Sequence, residues 1–425
     1  MKISTRVLPL LLLLSYLNVN ADNISVKGSV DLTAQAYMQH PKSKHPQNVT
    51  ARVNIESSYE QDALTLKTKV IAQGDYYDLE SKEEHNERSY MRLDELFVQY
   101  DFEDDQLMFG KNIRFWGALE VRNITDNFNS NDLRGDVFEI DKLGAWSASY
   151  SHYTESGELS LIVKLYETSQ KMAADPYVYY YLPRAVPTAT GIKPLLYDSR
   201  LKSESGDMRP SIYLKYSGST DSEYPIDYAI ILENGYDSQR YFSTMLSSDT
   251  SSIDMRENAY LVNKILTYNT LVVGATLFKL EALYSDVIDT QEISDYYHIG
   301  LGVEHTLSQV YGDADLGLIS EYYYYDRLDK SKMNDLELFE VFQNDLFVGL
   351  RYSFNQGNDA SIVSGVIVDL AYDEQVYYLK YEGRLGESLK LNFDYRYIEP
   401  SKDTLTTFHL LSRHERLSFT LGYYF

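Results

Sequence analysis

Hydrophobic and polar residues alternate along most of this chain with a period of two. In residues 24–39, Val26, Val30, Leu32, Ala34 and Ala36 share one parity and Lys27, Ser29, Asp31 and Thr33 the other. In 49–60, Val49, Ala51, Val53 and Ile55 oppose Thr50, Arg52, Asn54 and Glu56. After a tight turn, Leu64, Leu66, Val70 and Ala72 oppose Thr65, Lys67, Lys69 and Gln73. Successive side chains of a strand point to opposite faces, so each segment predicts a strand with one apolar and one polar side. The same rhythm predicts strands near 88–102, 105–115, 143–153, 158–167, 209–217, 225–235, 256–268, 271–285, 295–307, 312–326, 342–354, 359–372, 375–385, 388–398 and 415–425.

The connections then separate by length. Short turns fall at 61–63, 103–105, 155–157, 268–270 ("YNT") and 386–388 ("GES"). Long segments, at 77–88, 116–142, 168–208, 236–255, 286–294 and 327–341, fall between them. A nineteenth strand-like stretch, "TLTTFHLL" at 404–411, would break the even count that bacterial single-chain barrels keep, and belongs to the last long connection. The expectation is an all-β fold: a single transmembrane antiparallel barrel of about eighteen strands, with sixteen as the alternative. The long connections face outward, and aromatic clusters such as Tyr76-Tyr77, Tyr296-Tyr297, Tyr322 to Tyr325 and Tyr423-Tyr424-Phe425 form interfacial girdles.

Both ends agree. Residues 1–21 carry Lys2 and Arg6, an apolar run from Val7 to Leu14 and a small-residue site at Val19-Asn20-Ala21, which predicts a cleaved secretory signal peptide. Residues 22–425 are then the barrel, with too little chain before its first strand for a plug domain of the kind found in TonB-dependent receptors. The last strand, "RLSFTLGYYF", puts Leu417, Phe419, Leu421, Tyr423 and Phe425 on one face. A terminal strand ending in Phe resembles the signal read by the outer-membrane barrel assembly machinery.

Composition narrows the function. The 63 acidic residues against 39 basic ones give a net charge of −24, which argues against nucleic-acid binding, since that needs basic patches to displace counterions. There is no cysteine, so disulfides, thiolate metal sites and a lipid-modified Cys are excluded. The 40 tyrosines suit interfaces where one end of the ring is wet. The eight histidines show no metal-ligand spacing, and neither a metal nor a cofactor is expected. The acidic stretch "DLESKEEHNER" (78–88) is read as a solvated charge run.

Several stretches resemble a family of Gram-negative outer-membrane barrels akin to alginate-export-type and other porin-like channels. They are "RLDELFVQYDF…LMFGKNIRFWG" (92–117), "GLGVEHTL" (300–307), "ADLGLISEYYYYDR" (314–327), "FQNDLFVGLRYSFN" (342–355) and the final "YYF". The resemblance implies a wide barrel in the outer membrane, surrounded by lipid and lipopolysaccharide. It implies no substrate.

Two sets of candidate residues follow. The polar run after the fifth strand contains Glu120, Arg122, Asn123, Asp126, Asn127, Asn129, Asn131, Asp132 and Arg134. It suits a loop folded into the lumen as a constriction, with Trp116-Gly117 as its pivot. Non-strand backbone is tolerated at membrane depth only where it lines water or is buried in protein. The Tyr-rich "PYVYYYLPRAVP" (176–187) is a second candidate, for a lid or a sugar-stacking platform. The pore-lining set has basic residues near the closing seam: Lys27, Arg52, Lys67, Lys69, Lys380, Lys390, Arg396 and Arg416. Opposite them stand Glu281, Glu304, Glu321 and Asp369, with Lys279 and Arg351 among them. Such walls would set a transverse field; alternatively the charges neutralise one another across neighbouring strands. The expected function is a channel for diffusion or export of small polar or anionic solutes, since sixteen to eighteen strands leave an aqueous lumen. The alternatives are an outer-membrane lipase- or protease-type enzyme using His152, His298 or His305, and a non-conducting surface or assembly barrel.

Overall fold

The alternating segments pair antiparallel with their neighbours in chain order, and the last strand closes onto the first, making one ring of eighteen strands in the computed structural model. The structure describes residues 23–38, 47–80, 88–135, 138–173, 180, 182–203, 209–246, 251–332, 340–402, 406–411 and 415–425. The expected signal peptide and most of the 78–88 acidic run lie outside them, as does much of 176–187. The strands, first to eighteenth, are Ile24–Tyr37, Gln47–Gln61, Leu64–Asp75, Tyr90–Phe102, Asp105–Asn112, Ala145–Thr154, Gly157–Lys164, Ser211–Ser219, Ile226–Tyr236, Leu261–Val273, Thr276–Val287, Tyr296–Tyr311, Ala314–Arg327, Asn344–Ser353, Ser361–Asp369, Glu374–Leu385, Leu389–Glu399 and Arg416–Tyr424. Closure at the seam is completed by Phe425, whose N–H and C=O both bond the backbone of Gly28. A closed ring leaves no unpaired edge, which is what lets strands sit in lipid.

Outward positions form an apolar belt. Leu32, Leu107, Leu214, Phe278, Leu350 and Phe419, on six different strands, all present exposed side chains. The tyrosine runs divide between the two faces: Tyr296, Tyr323 and Tyr325 turn inward and are buried. Tyr296 donates to Asp237 at 2.7 Å and Tyr323 to Glu321 at 2.6 Å. Only alternate members of these clusters are therefore free to serve a girdle.

Connections alternate short and long as expected, except that 370–373 is short on the long-loop rim. The expected turn at 268–270 is displaced. Tyr268, Asn269 and Thr270 continue the tenth strand, and the chain reverses at Gly274-Ala275. Gly274 takes φ +57, a left-handed position that glycine adopts without a Cβ penalty. The strand expected over 256–268 is thereby split. Ile253–Ala259 pairs instead with Tyr241–Leu246 and Gly191–Ser203 in a four-stranded sheet built from two outer loops. Residues 407–411, within the last long connection, form a short helix.

Candidate functional site

Register places every residue of the charged set on the face opposite the apolar belt. Arg52 pairs with Asp31, Lys69 with Glu56, Glu281 with Gly300, Glu321 with Gly302, Lys380 with Val363, and Arg396 with Arg416, each on the inward parity. The basic residues are all matched by acids. Lys27 and Lys69 share Glu56 at 3.3 and 3.6 Å, and Lys67 reaches Glu95 at 3.0 Å. Lys390 pairs with Glu382, while Arg396 and Arg416 pair with Asp394. On the other side Glu304 holds Arg351 at 2.6 Å and Lys279 at 3.5 Å. Asp369 accepts the N–H groups of Ala371 and Tyr372, so it caps the 370–373 connection. Most of these charges pair with a residue of a neighbouring strand, and Arg52, Lys380 and Arg351 also pair with Asp141, Glu139 and Glu120 of the fifth connection.

The described residues of 113–144 touch the inward face of strands on every side of the ring, from the second and fourth to the eleventh, thirteenth and sixteenth, which only a segment running across the interior can do. Glu281 accepts the N–H groups of Ala118 (2.6 Å), Leu119 (2.9 Å) and Thr125 (3.0 Å), and the Thr125 hydroxyl (2.9 Å). Glu321 accepts those of Glu120 (2.7 Å) and Val121 (3.0 Å), and the Tyr323 oxygen accepts that of Arg122 (3.1 Å). A loop away from bulk water must find partners for its backbone donors. Here wall carboxylates supply them. Leu119 rests on a floor without side chains: a Cβ added at Gly300 would lie 2.4 Å from its Cδ1, and one at Gly302 2.9 Å from its Cδ2.

Trp116, Glu120, Arg122, Asp126, Asn129, Asp132 and Arg134 each have a partner, whereas side-chain atoms of Asn123, Asn127 and Asn131 do not. Trp116 is buried edge-on against Phe128 and Tyr213, whose ring centroids lie 5.5 and 5.6 Å away. Glu120 pairs with Arg351 at 2.6 Å, Arg122 with Glu340 at 3.7 Å and Asp126 with Lys142 at 3.3 Å. Asn129 accepts the Arg114 N–H at 2.8 Å and donates to the carbonyls of Asn112 and Leu143. Asp132 takes Arg134 at 2.6 Å and also Arg92 of the fourth strand. The Arg134 guanidinium stacks 3.8 Å from the Tyr90 ring. Burial draws the Asp132 carboxyl upward, but hydrogen bonds and charge from Arg134, with the charge of Arg92, outweigh it and hold the group below the ordinary carboxylate range.

Sequence reading missed several of these features. A bulge between Lys69 and Val70 in the pairing of the third and fourth strands buries both Asp94 and Glu95, with no residue type to announce it. The C-terminal part of the loop reaches the seam wall, where Arg52 binds Asp141 at 2.7 Å and Lys380 binds Glu139 at 3.1 Å. Exposure divides the interior. Glu281 and Glu321 are 0% and 1% exposed, whereas the side chains of Lys27, Lys67, Lys380 and Lys390 stay 72%, 33%, 33% and 30% exposed. A cavity lined by Val121, Asn127, Asn131, Phe138 and Lys142 lies on one side of the loop, and a second, lined by Gly117, Ala118 and the 155–157 turn, on the other. The histidines have separate neighbours. His152 bonds Asp105 at 2.8 Å, His305 bonds Thr276 at 2.8 Å, and His298 lies 4.0 Å from Glu340.

A closed antiparallel ring with an apolar outer belt and a charged interior defines an outer-membrane β-barrel protein. Solved barrels superpose over nearly its whole length. Pseudomonas aeruginosa OccK11 (OpdR) matches with a TM-score of 0.52 at 9% identity, covering 94% of this chain and 95% of its own. OccK8 (OprE) of the same organism matches at 0.52 and 7% identity, covering 95% and 98%. Wzi of Escherichia coli, an outer-membrane protein involved in group 1 capsule assembly and a carbohydrate binding β-barrel, matches at 0.49 and 10%, covering 100% and 89%. At these identities the likeness is one of fold. No protein-family model and no curated protein sequence matches the chain.

Proposed function

We propose that this protein is a porin-like channel through which small polar or anionic solutes cross the outer membrane. One observation carries the reading: the uneven exposure of the interior. Where residues 118–125 lean on the eleventh and thirteenth strands, Glu281 and Glu321 are sealed. Along the closing seam, Lys27, Lys67, Lys380 and Lys390 remain exposed beside Glu56 and Glu382. A water-filled passage between the loop and this seam wall would be lined by alternating charges, and the loop is its constriction. In the same reading, residues 1–21 are removed as a signal, and the final strand ending in Phe425 engages the barrel assembly machinery.

A second reading is a non-conducting barrel, favoured by the Arg52–Asp141 and Lys380–Glu139 bridges, which tie the loop across to the seam wall. Single-channel recording of the refolded protein in a planar bilayer separates the two. Stable open steps, with larger steps after deletion of residues 118–134, establish the passage and its constriction. Silence from protein shown to be folded establishes the closed barrel.

A further inference from the structure

Above the loop, at the outer mouth, lies a cavity of about 140 Å³ lined by residues of five connections and the strand tips they cover. At about 30 Å³ per liquid water it has room for several waters or one compact solute. Its polar lining is unusual in one respect. Among the described residues, fifteen buried side-chain nitrogen or oxygen atoms have no hydrogen-bond partner beyond ion pairs such as Lys164–Glu167, and seven of them belong to residues that line this cavity. Both amide atoms of Asn127 and Nε2 of His298 are among them, although Asn127 is 6% and His298 2% exposed. Asn131 Oδ1 and Arg122 Nε are two more. Folded proteins leave few such atoms, and a concentration around one cavity points to something that bonds them.

The charges in the lining narrow what that is. Asp126 is matched by Lys142 at 3.3 Å, Arg122 by Glu340 at 3.7 Å, Lys264 by Asp237 at 3.0 Å, and Arg240 by Glu167 at 2.6 Å. The groups left without bonds are mainly neutral amide and imidazole atoms, which can both donate and accept. Beside them Phe138, Phe342, Tyr296 and Leu283 supply apolar and aromatic surface. We infer that this cavity is a binding site for a neutral, hydroxyl-rich solute of monosaccharide size, with Asn127 and His298 bonding its hydroxyls. Neutral hydroxyls satisfy both amide atoms and the imidazole nitrogen at once, and their C–H faces pack on the rings. An anion would meet cations already committed to acids.

The site does not depend on conduction, and a closed barrel could hold it equally well. Calorimetric titration of the full folded protein in detergent micelles tests it, with glucose as the neutral probe and glucuronate as the charged one. The expected result is saturable binding of glucose, weaker binding of glucuronate, and a loss of about tenfold or more in glucose affinity on Asn127→Leu. That substitution keeps the branching of the side chain and removes both unbonded polar atoms, and His298→Phe serves as the second variant should the first fail to fold. Absence of saturable glucose binding to the native chain would mean a cavity holding water only, and overturns the inference. Tighter binding of glucuronate than of glucose overturns the neutral class. Unchanged glucose affinity in a folded Asn127→Leu or His298→Phe protein overturns the assignment of the residues.

Discussion

Glu281, inward on the eleventh strand, accepts the backbone N–H of Leu119 at 2.9 Å, and Leu119 in turn lies over the glycines of the twelfth strand. A wall carboxylate and a bare patch of wall together hold a loop that has no secondary structure of its own at that point. The carboxylate satisfies four donors of the loop. No cation lies opposite it among the described ion pairs, so its work is to terminate the loop's backbone.

Removing that acceptor strands donors in a buried place. Thr125 is 0% exposed and Leu119 5%. Glu281→Ala should destabilise the barrel by about 3 kcal/mol or more, since hydrogen bonds to a charged group contribute about 1.5–3 kcal/mol each and unmade buried ones carry a further cost. Glu281→Gln, which keeps one carbonyl oxygen, should cost less. Hydrogen exchange at the amides of 118, 119 and 125 reads the effect locally. All three should exchange faster in Glu281→Ala while amides of the third strand, far round the ring, keep their rates.

Gly300 tests the other half of the same clamp. Gly300→Val places carbon where the Leu119 side chain now sits, 2.4 Å from Cδ1 for the Cβ alone. Overpacking of this kind costs about 1–3 kcal/mol. Leu119→Ala in the Gly300→Val background should recover most of it, because the clash and its relief are one contact. Additive losses in the double-mutant cycle would show that Gly300 matters for a reason other than this contact.

In the proposed channel, the two bridges from the loop to the seam wall would set the width of the passage. Arg52→Ala together with Lys380→Ala removes the Asp141 and Glu139 contacts and two cations from the passage. Both pairs are partly exposed, so stability should fall by no more than about 1 kcal/mol per pair. Conductance should rise, and the reversal potential in a salt gradient should move toward cation selectivity, since the acids are left unmatched. A fall in conductance would mean that these cations support the open passage.

The strands were legible because period-two alternation is a local property, written in residues such as Val49 to Glu56 without reference to any partner. The polarity of 120–134 was legible for the same reason. What it bonds was not. Glu281 and Lys380 share an inward parity and so read alike, yet one is a sealed acceptor of loop N–H groups and the other a partly exposed ion-pair donor. Only the path of the loop across the ring distinguishes them. Tyr268 shows the same limit at a strand end. Its neighbours look like a turn in isolation, but pairing with Glu281 keeps it in the strand, and the glycine six residues on takes the turn.

Asp132 fixes the outer end of the loop, and its titration sets a pH response of known sign. Its carboxyl is held below the ordinary range by Arg134 and Arg92. A depressed carboxyl stabilises the folded arrangement fully above its unfolded value, about 3.9, and the contribution is lost as pH falls through the lower folded value. Loop anchorage at this end should therefore be constant from pH 7 to about 5 and weaken only below about pH 4. Open-channel current noise, or hydrogen exchange over 131–134, should rise in that acid window in the native protein. Asp132→Asn should be noisier or faster-exchanging already at pH 7, and should gain less on acidification because the titrating group is gone. An equal acid response in the two proteins would assign the anchorage to other carboxylates.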